Sequence, residues 1–94
     1  MKELYTTTFR NIVRLALARQ GIVHTWQTWT DKASIKNKNK RIVTFYVTKN
    51  LNEVFSDVKN IMTTVGIDPD TFNLRMTYSG YIKCNCVKPG NILI

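Results

Sequence analysis

Phe9, Ile12, Val13, Ala16 and Leu17 recur at three- and four-residue intervals, which places them on one stripe of a helix. The spacing predicts a first helix over residues 8–20. The Thr6-Thr7-Thr8 run offers a hydroxyl cap, and Gly21 suits the left-handed position that ends a helix. Leu51, Val54, Phe55, Val58, Ile61, Met62 and Val65 make a second stripe and predict a helix over residues 51–65. Asn50 stands at its cap with Glu53 three residues on, and Gly66 closes it with Ile67 able to fold back onto the last turn. "VRLALARQGI" from Val13 and "VKNIMTTVGI" from Val58 match at several offsets. A duplication would explain the likeness, but the pattern common to any amphipathic helix with a glycine stop is the preferred reading.

Between the helices the pattern changes to one rich in Thr, Val, Ile and aromatic residues, predicting strands over residues 22–30 and 41–49. They pair as an antiparallel hairpin around a connection at about residues 31–40. Further on, Phe72, Leu74, Met76, Tyr78, Ile82, Cys84 and Cys86 all occupy even positions, with Asn73, Arg75, Thr77, Ser79, Lys83 and Asn85 on odd ones. The run is too long for one ordinary strand, so a turn at "YSGY" is expected. A three-residue loop pairing Tyr78 with Ile82 keeps one face apolar, whereas a two-residue turn sets polar against apolar. A single bent strand is the alternative. The resulting class is α+β: two helices packed on an antiparallel sheet in the order α-β-β-α-β-β, within one domain spanning residues 1–94.

Charge adds what periodicity leaves out. The chain carries a net +8. Ten Lys and Arg against Glu3 and Asp31 lie before Asn50, while four cations and four acids cancel after it. Within this excess, the hairpin connection at about residues 31–41 gathers Lys32, Lys36, Lys38, Lys40 and Arg41 around Asp31. Such a one-sided field steers anions inward. Asn37 and Asn39 alternate with the lysines and suit either turns or phosphate contacts. Arg10, Asn11 and Arg14 on the first helix are of the types that read base edges. Trp26 and Trp29, three apart in a strand, face opposite sides of the sheet, so one of them and Tyr46 is expected to be accessible beside the basic connection. Rings among cations suit stacking of bases with phosphates held alongside.

The other chemistry-bearing residues read more simply as structural. His24 is the only histidine, and no acid or second histidine is marked out as its partner. Cys84 and Cys86 share a strand face, too few ligands for zinc and poorly placed for a disulfide, and read as buried thiols. No cofactor, metal or catalytic constellation is expected, and a small ribonuclease resting on His24 is the remotest reading. The apolar fraction of 44% fits a globular chain with no membrane-spanning run. The opening residues lack a signal-peptide core, so a reducing, cytoplasmic setting is expected. The apolar tail at residues 89–94 invites a homodimer contact, as would a sheet edge. The leading expectation is a small regulatory nucleic-acid-binding protein, with no prior claim on DNA or RNA. The alternative is a non-enzymatic inhibitor or adaptor, of the kind a phage or mobile element carries, that binds an acidic host protein.

Overall fold

The computed structural model describes residues 2–22 and 29–87. His24, Trp26 and the tail at 89–94 lie outside the described residues. The elements run α1 (Thr6–Arg19), β1 (Trp29–Ala33), β2 (Lys40–Tyr46), α2 (Leu51–Thr64), β3 (Arg75–Met76) and β4 (Tyr81–Val87). The strands form one antiparallel sheet in the order β1-β2-β4-β3. This is the α+β fold in the α-β-β-α-β-β order that the periodicity predicts. Among the described residues no helix is long and apolar enough to cross a membrane.

The first helix stripe is buried throughout and the second at its centre, where Leu51 and Phe55 are half-buried and Val65, at the end of its helix, is exposed. Phe9, Ile12, Val13, Ala16 and Leu17 of α1 meet Val54, Val58, Ile61 and Met62 of α2. Beneath them lie Val43 and Phe45 of β2 with Ile82, Cys84 and Cys86 of β4, completing one continuous core. Both helices stop as their glycines require. Gly21 and Gly66 adopt φ of +68° and +83°. The amides of Ile22 and Ile67 reach back to the carbonyls of Leu17 and Met62 at 2.9 and 2.8 Å. These are the paired bonds of a helix ended by a left-handed residue.

The helix starts differ from expectation. α1 begins at Thr6 on a Tyr5 cap, and no side chain caps it. The Thr run falls inside the first turn, because burial of Leu4 and Phe9, both wholly enclosed, sets where the chain enters. Asn50 also makes no side-chain cap. It sits at φ +51°, where it lets the chain leaving Val47 reverse into α2, and a residue so placed gives up the extended geometry that capping uses.

Two strand expectations are also adjusted. The β1–β2 connection is shorter than predicted, since Lys32 belongs to β1 while Lys40 and Arg41 belong to β2. In the last hairpin Met76 pairs with Ile82, and Arg75 with Lys83. The three-residue loop is therefore Tyr78-Ser79-Gly80, one position earlier than expected, and Tyr78 becomes a fully exposed turn residue. The parity survives, so the apolar face is the predicted one. Gly80 explains the shift: it adopts φ +93°, and an added Cβ would stand 3.0 Å from the Val47 carbonyl oxygen and 3.1 Å from the Tyr46 ring.

Candidate nucleic-acid interface

Strand alternation sends one set of side chains into the core and leaves the other on a sheet face that neither helix covers. That open face is built in rows across the strands. Tyr46 pairs with Tyr81, their ring centroids 5.0 Å apart and tilted by 47°. The next row runs Thr30, Thr44, Lys83, Arg75 across all four strands. Lys32, Ile42 and Asn85 follow, and Lys40 with Val87 closes the series. Among the described residues, these rows thus carry four cations, Lys32, Lys40, Arg75 and Lys83, and no carboxylate.

The hairpin tip, residues 34–39, extends this face. It is a built turn: the Ser34 hydroxyl accepts from the Asn37 amide at 3.4 Å, and Asn37 Oδ1 accepts from the Asn39 amide at 3.0 Å. The amide of Lys40 bonds back to the Asn37 carbonyl at 3.0 Å. Asn37 thereby serves the turn, while Lys36, Lys38 and the fully exposed Ile35 project from it.

The residues singled out in the sequence divide between this surface and the helix layer. Lys32, Lys36, Lys38, Lys40 and Tyr46 gather on the open face and its tip. Arg41 does not join them, because its position in β2 has the parity of Val43 and Phe45. Its Nε donates to Asp31 Oδ1 at 2.7 Å, and Nη2 donates to the Asp31 carbonyl at 3.3 Å. Trp29 also turns toward the helices, packing on Phe45 at 4.2 Å and edge-on to Phe9 at 6.4 Å. Arg10 lies over the Trp29 ring with Cζ 5.2 Å from its centroid. Arg14 and Asn11 are exposed on α1, away from the open face, and Asn11 borders an apolar groove between the helices. Tyr81, Lys83 and Arg75 are the face residues that sequence reasoning passed over. The odd–even alternation of residues 72–87 already set Arg75 and Lys83 on the polar side; the missing datum was that β4 lies beside β2.

Cys84 and Cys86 are buried free thiols, as expected. The Cys84 thiol, whose Sγ donates to the Phe72 carbonyl at 3.6 Å, is pushed up in pKa first by the neighbouring Cys86 thiol and then by burial. Among the described residues no group of His, Cys, Asp and Glu is arranged to hold a metal ion. Compared with known protein families, curated proteins and solved structures, the chain matches none.

Proposed function

We propose that this α+β domain is a nucleic-acid-binding protein that holds phosphates on the open face of its sheet and on the adjoining hairpin tip. The observation that carries this reading is the sorting of charge by the fold. Among the described residues the rows of the open face have four cations and no carboxylate, and Lys36 and Lys38 continue the field at the tip. Such a surface attracts a polyanion by releasing its counterions, which gives affinity that depends steeply on salt. Arg10 and Arg14 stand on the other layer, so the helix flank is left out of the contact surface.

The test is a salt titration of binding to labelled oligonucleotides by fluorescence anisotropy. Replacing Lys32, Lys36, Lys38 and Lys40 together by Ser should weaken binding across all sequences. At about 0.7–0.9 per cation, it should also flatten the slope of log K against log salt by about 3. Parental affinity in that variant at every salt concentration rules the surface out. Capture of one stoichiometric acidic protein from nuclease-treated lysate, with no oligonucleotide binding, would instead favour the inhibitor or adaptor reading.

A further inference from the structure

We propose that the form of nucleic acid taken by this face is single-stranded, with bases stacked on the Tyr46–Tyr81 pair and the backbone held by the Lys83–Arg75 row. The inference rests on the nucleic-acid reading above and adds the ligand's form and the residues that select it.

Shape argues first. Four strands at about 4.8 Å spacing span about 14 Å of backbone before any side chain is added. The major groove of duplex DNA is about 12 Å wide and admits a helix or a two-stranded ribbon, so a four-stranded face cannot enter it. A single strand has no groove to enter and can lie across a flat sheet with its bases turned down onto rings.

The side chains are arranged for that geometry. Tyr46 and Tyr81 are central-strand neighbours, both half-buried, so each ring is braced by the sheet and still reachable. Gly80 lets the Tyr46 ring close against the turn. One row away, about 7 Å along the strands, stand Lys83 and Arg75. The exposed Ile42 and half-buried Asn85 lie one row further, apolar and hydrogen-bonding surface for a following base.

Energetics supplies an independent reason to expect a ligand there. Arg75 and Lys83 are direct cross-strand partners on the same face. Like charges directly opposite one another destabilise a sheet, and among the described residues none of the side chains sharing these cross-strand rows is a carboxylate. An anion seated between them removes the repulsion. A sheet built only to cover a core has no use for the pairing.

The experiment compares a labelled single-stranded oligonucleotide with its duplex against the full-length chain, from low to moderate salt. The single strand is expected to bind tighter at each salt concentration. Tyr46→Ala with Tyr81→Ala should cost about fivefold or more in single-strand affinity per tyrosine while leaving the salt slope unchanged. Arg75→Ser with Lys83→Ser should flatten the slope by about 1.4. Tyr46→Phe with Tyr81→Phe keeps both rings and should bind as the parent does, which separates stacking from loss of fold. Duplex binding equal to or tighter than single-strand binding would overturn the proposal and leave the broader reading standing. So would full single-strand affinity in a folded double-Ala variant, or a double-Phe variant that binds as weakly as the double-Ala one. No binding to either form at low salt would overturn both.

Discussion

Arg41 separates a folding role from a binding one. It sits in the most basic stretch of the chain, yet its guanidinium is engaged with Asp31 through Nε at 2.7 Å and Nη2 at 3.3 Å. The two side chains are 22% and 25% exposed, so water screens the pair only in part. A hydrogen bond to a charged group contributes about 1.5–3 kcal/mol, and a fully exposed ion pair about 0.2–1 kcal/mol. Partial exposure and a long second contact place this pair between them, at about 1–1.5 kcal/mol. In a domain of this size each kcal/mol moves Tm by about 4–8 °C, so Arg41→Gln should lower Tm by about 5–10 °C. A double-mutant cycle with Asp31→Asn, followed by thermal and urea unfolding in far-UV circular dichroism, should give a coupling energy of about 1 kcal/mol. In oligonucleotide titrations Arg41→Gln should keep the parental salt slope. An additive cycle together with a slope lowered by about 0.7–0.9 would refute the assignment, because it would mean the guanidinium is free to meet phosphate.

Three further outcomes follow from the fold. Gly80→Ala should cost about 1–3 kcal/mol in urea unfolding, more than Gly21→Ala, since an added Cβ crowds the Val47 carbonyl and the Tyr46 ring whereas Gly21 faces open space. Phe45→Ala, which empties a wholly enclosed ring site at the centre of the sheet, should cost about 3–5 kcal/mol by the same measurement. Cys84 should resist alkylation in the native state and react on unfolding. Its folded pKa lies above the ordinary 9.0, so at high pH the unfolded chain releases a thiol proton that the folded chain keeps. The stability this contributes is complete below 9.0 and declines as pH rises above it. The urea midpoint should fall less on that limb in Cys84→Ala.

The periodic elements were legible because period alone determines which side of an element is apolar. The stripes from Phe9 to Leu17 and from Val54 to Met62, the even positions Phe72, Leu74, Ile82, Cys84 and Cys86 and the two glycine stops came through, whereas Met76 and Tyr78 are exposed. Each depends on neighbours within about two turns of chain or along one strand. The capping residues and the last turn were less legible. Burial of Leu4 and the close contact of Gly80 with Val47 and Tyr46 decided them, and those contacts join distant segments.

The candidate surface shows the same division. The amino-acid sequence by itself determined the class of fold, the parity of each strand and the excess of positive charge. Counted along the chain, that charge belongs wholly to the first half. Only the tertiary structure, by laying β4 against β2, brought Lys83, Arg75 and Tyr81 onto the face that carries Lys32, Lys40 and Tyr46. The same pairing left the acids of the second half on α2 and the loop after it. Parity within β2 likewise turned Arg41 inward to Asp31 although its neighbour Lys40 faces out. Charge is a sum over residues and can be read from composition. A surface field depends on which residues share a face, and strand pairing between distant segments decides that.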